Sequence, residues 1–221
     1  MQSPAQELSQ QTPNDWQNPV AEALAWLDNN WHAAGAVAAV FYLLLFGLQS
    51  RWNGWQFWLA IQLPIYVVHQ LEEHVHDRFR LAINRDIGRG SDVLSHRAVL
   101  LINVIGVWVI EWTALYLAIY VHPGWAMLAF ALAVINALSH IGGAIALRSY
   151  NPGLVTALLL LLPSGIAGAR ALRAATPLTS APSLASIAII VVEHIWIVAH
   201  VLHRRVQLQQ HSSPAGRAAS A

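Results

Sequence analysis

WAMLAFALAVINALSHIGGAIAL, residues 125–147, carries no charge and only three hydrogen-bonding side chains besides its leading tryptophan: Asn136, Ser139 and His140. A helix needs about 20 mainly apolar residues to cross the hydrocarbon core of a bilayer. This segment meets that length, so it reads as a transmembrane helix. Working outward, comparable blocks occupy Ala33–Leu48, Trp55–Glu73, Ala98–Val121, Gly153–Leu172 and Leu184–His203. The expected fold is all-α, a polytopic transmembrane bundle of six spans. Composition agrees: 56% of the chain is hydrophobic and 10% charged, against about 25% charged in soluble domains. A soluble fold would lack the polar surface to cover so large a core.

The rest of the chain is organised around these spans. Residues 1–15 are polar, lack the basic start of a secretory signal, and are expected to be a disordered tail. Residues 16–32 read as an amphipathic helix in the headgroup layer, with Val20, Leu24, Leu27 and Trp31 on one stripe. The membrane domain is placed at 33–205, and 206–221, rich in Gln, Ser and Ala, is expected to be disordered. Pro163, Ser164 and Gly165 predict a kink in the fifth span. Nine arginines (Arg78, Arg80, Arg85, Arg89, Arg97, Arg148, Arg204, Arg205 and Arg217) fall on the side shared by both termini, and three (Arg51, Arg170 and Arg173) on the other. The positive-inside rule then puts both termini in the cytoplasm, in the cell inner membrane. Trp52, Trp55, Trp58 and Trp125 mark the outer interface.

Ionisable residues inside spans cost several kcal/mol unless paired or ligated, so each is a functional candidate. His69, Glu72, Glu73 and His76 recur at i, i+3, i+4 and i+7 and are expected on one helical face, with His74 turned elsewhere. Other spans add Asn103, Glu111, Asn136, His140, Glu193 and His200, with His194 and His203 read as off-face or interfacial. Span direction places most of these groups in the inner half of the bilayer, where they can converge. With no cysteine, a metal would be held by imidazole and carboxylate, donors that suit iron or zinc. Glu73 and His76 form the Glu-x-x-His pair of di-iron bundles, which Glu111 and Glu193 could complete. One ion would need only His69, Glu72 or Glu73, and His140, with an open position. Asn103 and Asn136 are expected to orient ligands. A net charge of +1 without a basic stripe argues against nucleic acid.

His69-Gln-Leu-Glu72-Glu73, a downstream His140, and Tyr150-Asn-Pro152-Gly153 together resemble the HXXEE membrane protein family, with its HxxEE and YxPG elements. The likeness runs from the second span to the sixth; it implies fold and site positions, Tyr150 included, but no reaction. A fainter likeness is to membrane proteases of the CAAX-processing type, through Glu72-Glu73 and His140. There Asp77 stands where arginine is expected, and Asn136 replaces an aromatic residue.

The sequence therefore predicts a membrane enzyme holding one or two divalent ions, iron or zinc, and acting on a lipid-like or apolar substrate. Glu72 and Glu73 are the expected catalytic pair. His69, Glu72, Glu73, His76, His140, Glu111, Glu193 and His200 are the expected ligand pool. The reaction is either di-metal oxidation or hydroxylation, or metallohydrolysis. The competing class is a non-enzymatic, proton-coupled carrier that uses the Glu/His cluster as a relay. Arg148 is expected to anchor at the inner interface or to meet a phosphate headgroup.

Overall fold

The structure is a computed structural model that describes residues 19–47 and 54–212. The expected N-terminal tail, Trp16, Arg51, Trp52 and the chain after Ser212 lie outside the described residues. Among those described there are helices and turns and no strand. Six long helices are joined by short connections: α1 Pro19–Gly47, α2 Trp55–His74, α4 His96–Tyr120, α5 Pro123–Leu147, α6 Leu154–Leu172 and α7 Ala181–Ser212. A short helix, α3 Arg78–Asp86, lies between α2 and α4.

Among the described residues, four helices are long and apolar enough to cross a membrane: α4, α5, α6, and α7 over Ala181–Gln210. The other two expected spans are helices at the expected places, the first as far as Gly47. α2 carries Gln56, Gln62, His69, Gln70, Glu72 and Glu73, and α1 becomes continuously apolar only in its second half. Nor is there a break between the amphipathic segment and the first span, because α1 runs through both. Asn29 and Asn30 do not interrupt it, since their amides donate back to the carbonyls of Ala25 and Trp26 one turn earlier. Of the amphipathic stripe, Trp31 is buried while Val20, Leu24 and Leu27 are exposed. α7 likewise continues past Val206, where a disordered tail was expected, to Ser212.

α5 is the central helix, with Phe130, Leu132 and Ala133 fully or almost fully buried. It packs on α6 and α7, while α1 packs on α2. Glycine sets the α5–α6 distance: a β-carbon on Gly168 would lie 2.3 Å from the Phe130 ring, and one on Gly165 2.9 Å from the Phe130 carbonyl. Such small residues let membrane helices approach closely. The irregularity expected around Pro163 appears one turn earlier, as a π-helical stretch over Ala157–Leu161. Proline has no N–H to give the preceding turn, and the widened turn absorbs the mismatch while the helix continues to Leu172. A second π-helical stretch spans Val104–Val109 in α4.

The segment joining α2 to α4 is knitted by charge. Arg80 bridges Asp77 at 2.6 Å and Asp92 at 2.9 Å, and Asn84 bonds Asp92 and both backbone groups of Leu94. This fixes α3 beneath the polar end of α2.

Candidate metal centre

α2 delivers His69 and Glu73 from its last two turns, and α5 delivers His140. His69 and Glu73, four residues apart on α2, lie beside His140 of α5. Glu73 Oε1 is 3.1 Å from His140 Nε2, and Glu73 Oε2 is 3.5 Å from His69 Nε2. One donor atom from each falls within 4.8 Å of the others, and all three residues are buried. Among the described residues this is the one group of three or more such side chains close enough to hold an ion.

Both imidazoles are held from behind, His69 by the first turn of α6 and His140 by the α5–α6 connection. His69 Nδ1 bonds Thr156 Oγ1 at 2.8 Å, and the Thr156 hydroxyl is itself a donor to Glu72 Oε2. The hydroxyl proton is thus committed to the carboxylate, so Nδ1 must be the donor to Thr156. That leaves the His69 Nε2 lone pair facing Glu73. His140 repeats the logic. Asn151 gives its amide Nδ2 to the His140 carbonyl at 2.9 Å, so its Oδ1 faces His140 Nδ1 at 2.6 Å and accepts from it. His140 Nε2 therefore faces Glu73 Oε1, as a lone pair when the ring is neutral and as a donor when it is protonated. Fixing the tautomer through the remote nitrogen is how metal-ligating histidines are oriented. Asn136 Nδ2 donates to His69 Nε2 at 3.2 Å.

Glu72 has a different position from the one the sequence suggests. Its carboxylate accepts from Tyr150 Oη at 2.6 Å, Thr156 N at 2.7 Å, Val155 N at 3.2 Å and the Thr156 hydroxyl. It satisfies N–H groups at the start of α6 that no helical carbonyl can reach, in the role a capping side chain usually fills. Expected as a ligand or catalytic base, Glu72 is instead a clamp that holds Thr156 against His69. Tyr150 lies outside the membrane-length helices, and its hydroxyl is pushed up to about 12 by burial and by its bond to Glu72.

Gly153 closes the centre. Its φ of +98° is one that side-chain-bearing residues rarely adopt. A β-carbon there would lie 2.6 Å from His140, 2.9 Å from Glu73 and 2.9 Å from His69. Tyr150, Asn151 and Gly153 thus each touch the centre or its support.

The remaining expected ligands are elsewhere. α2 ends at His74 because His76 and Asp77 take left-handed backbone angles, φ 60° and 58°. The periodicity that put His76 on the His69 face presumes a helix that has already stopped, and His76 is exposed. Glu111 is buried on α4 outside the cluster, with its Oε1 lacking a hydrogen-bond partner. Glu193 lies on α7, 2.6 Å from its neighbour His194, and His200 stacks on Trp196. The two-metal set is therefore not assembled. His194 bonds the Ile190 carbonyl, His203 pairs with Gln207, and Arg148 ends α5 in a left-handed, exposed conformation. Asn103 sits one layer away: it accepts from Gln70, whose carbonyl accepts from Trp108, tying α2 to α4.

Sequence reasoning missed Thr156, Asn151, Gly153, Gln70 and His74. The last, expected to face away, is buried with Nε2 3.4 Å from Glu73 Oε2 and its ring 4.8 Å from Trp31. The YxPG element was the available signal for Asn151 and Gly153.

Glu73, His140, Asn136 and Asn151 form one wall of a cavity of about 360 Å³. The rest of the lining is mostly aliphatic, contributed by α3, α4, α5 and α7 and including Ile83, Val107, Leu132 and Val201. Fold and site together define the class: a membrane-type helical bundle with a buried two-histidine, one-carboxylate cluster able to hold a metal ion, at the edge of an apolar cavity. The chain belongs to the HXXEE family, described as protein of unknown function with HXXEE motif, whose family model matches residues 58–167. That range runs from early α2 into α6 and contains every residue of the centre and its support. No curated protein and no solved structure matches the chain.

Proposed function

We propose that this protein is a six-span membrane enzyme of the inner membrane, with both termini cytoplasmic, that uses a single divalent ion to act on an apolar or lipid-like substrate. The observation that carries the reading is the pair of imidazoles. Two histidines from different helices each have Nδ1 committed to a fixed partner, and each turns Nε2 toward one carboxylate. With both imidazoles neutral, a cation between them would be met by two nitrogen lone pairs and a carboxylate.

The donor set fits iron or zinc: two histidines and one carboxylate with open positions occur in non-haem ferrous sites and in hydrolytic zinc sites. Such an ion supplies either activation of oxygen or acidification of bound water. His69, Glu73 and His140 would hold it, Asn136 would hydrogen-bond what enters beside it, and the aliphatic cavity would exclude water and take the substrate. The engagement of Glu72 in four hydrogen bonds favours the ferrous reading, because it occupies the carboxylate a hydrolytic mechanism would use as base. The arginine distribution supports the orientation, and α1 and α2 complete the six spans.

The test is elemental analysis of full-length protein, purified without oxygen and offered ferrous or zinc ion separately. One equivalent of metal in wild type, lost in Glu73→Ala and His140→Ala, is expected. Wild type that holds no stoichiometric metal under either condition would refute the reading and leave the proton-relay carrier as the better account.

A further inference from the structure

The cavity beside the metal centre is elongated. Leu132, Asn136, Ser139, His140, Gly143 and Leu147 line it as one continuous face of α5, which at the helical rise spans about 22 Å. α7 lines the same space from Glu193 to Leu202, and α4 from Val99 to Val107, so it runs lengthwise between the three helices. Its two ends differ. At one, Tyr66 and Leu132 are 1% exposed and Val107 7%. At the other, Leu147 is 43% exposed and Leu202 46%. The cavity is therefore closed at the first end and opens at the second.

Two features say what such a space takes. The first is charge at the open end. Arg148 directly follows Leu147, and Arg205 stands three residues after Leu202, on the same side of α7. Ser183 Oγ donates to the Gly124 carbonyl near the start of α7 and α5, and nearly equal lengths of helix lead from there to Arg205 and Arg148, which brings the two arginines to one height. Asp86 of α3 also lines the cavity, but Arg85 donates to it twice, at 2.6 and 2.8 Å. Among the described residues the arginine ion pairs involve Arg80 and Arg85 alone, so the charges of Arg148 and Arg205 are uncompensated. At the closed end Glu193 and His194 pair with each other at 2.6 Å. The second feature is the height of the metal centre. His140 lies about 12 Å along α5 from Leu132 and about 10 Å from Leu147, with Glu73 beside it. The centre therefore faces the middle of the cavity rather than either end.

We propose that the cavity binds a single-chain anionic amphiphile, a long-chain carboxylate or alkyl phosphate, with its head at Arg148 and Arg205, its chain laid along α5, and the middle of that chain presented to Glu73 and His140. Guanidinium groups pair with either kind of head through charge-assisted hydrogen bonds. The cavity volume lies at the lower end of those that take small ligands, which suits one chain and not the two of a phospholipid. The proposal rests on the apolar-substrate reading above and adds to it a head-group class, an orientation and the part of the chain that meets the centre.

The experiment uses full-length protein in phosphatidylcholine vesicles doped with a long-chain carboxylate that carries a photoreactive diazirine near the head, at mid-chain or near the terminal carbon, with labelled peptides mapped by mass spectrometry. In wild type the head-proximal probe is expected on Leu147 and Leu202, the mid-chain probe around Ser139 and His140, and the terminal probe on Val107 and Leu132. Arg148→Glu combined with Arg205→Glu should cut cavity labelling by about tenfold, the worth of a hydrogen bond to a charged group, whereas the corresponding pair of lysine substitutions should keep most of it. Labelling of Tyr116, exposed on α4, should not change. The methyl ester of the same chain, which carries no charge, should label the cavity in wild type as weakly as the carboxylate labels the glutamate variant. Unlabelled carboxylate and alkyl phosphate are then offered as competitors: the one effective at lower concentration identifies the head, and competition by neither overturns the proposal. So do the reverse order of labelling along the cavity, labelling that survives the glutamate substitutions, and labelling confined to outer faces. Metal content is measured on the same samples: labelling without metal sinks the metal centre and leaves the binding mode standing, and metal without cavity labelling does the reverse.

Discussion

Replacing Gly153 by alanine drives one methyl group into the point where α2, α5 and the α5–α6 connection meet. Two costs add. Holding a side-chain-bearing residue at φ +98° costs about 1–2 kcal/mol. Overpacking costs about 1–3 kcal/mol more, since the new carbon would lie 2.6 Å from His140 and 2.9 Å from both Glu73 and His69. The sum, about 2–5 kcal/mol, is a large part of a stability of about 5–15 kcal/mol. Gly90 separates the two contributions: its φ is +85°, but a β-carbon there meets nothing within 4 Å. Gly90→Ala should therefore show only the backbone cost and bind metal normally. Gly153→Ala should lose more stability and about 10- to 100-fold in metal affinity, because its three nearest contacts are with the three residues of the cluster. Thermal unfolding in detergent with and without added metal, and competition with a chelating dye, read both quantities. Equal losses in the two variants, with unaltered metal binding in Gly153→Ala, would refute the packing argument.

Three further outcomes are expected. Glu72→Gln should retain metal at an affinity lowered about 10- to 100-fold and lose about 1.5–3 kcal/mol of stability from weakened charge-assisted bonds, whereas Glu73→Gln should abolish stoichiometric metal and His76→Ala should leave it intact; parallel elemental analysis and melting curves decide. Thr156→Val should weaken metal binding by a similar factor, because His69 loses the acceptor that fixes its Nδ1 proton, and Thr156→Ser should restore it. Tyr150, with its folded value raised to about 12, favours the fold while protonated. Its contribution is complete below the unfolded value near 10 and falls as pH rises through 12. Ultraviolet titration should show a tyrosine transition near pH 12 that is absent in Tyr150→Phe and shifted downward in Glu72→Gln.

The helical fold was legible because apolar blocks of bilayer length leave few alternatives, and His69, Glu73 and His140 were legible as polar groups in places where burial is costly. The ligand face was less so. At about 100° per residue, Glu72 and Glu73 diverge by nearly a third of a turn, so both cannot serve one centre. Which of them serves depends on what stands opposite, and the opposing group, Thr156, is 84 positions away in the chain. The error at His76 has a local cause, since nothing in the apolar period announces that His76 and Asp77 turn left-handed. The two-metal inventory counted carboxylates by depth, a measure that could not separate α7 from the α2–α5 seam.

The clamp on Thr156 also sets an order of assembly. His69 and Glu73 belong to the second helix, His140 to the fifth, and the groups that hold both imidazoles in position follow only at residues 151–156. All three donors exist once His140 is made, but they gain their hydrogen-bonded support only when residues 151–156 follow, because Glu72 has nothing to cap until the sixth helix begins. On the proposed metal reading, tight loading would be confined to chains that have already brought helices two, five and six together, and occupancy would be a mark of finished folding by which quality control could tell mature protein from stalled intermediates.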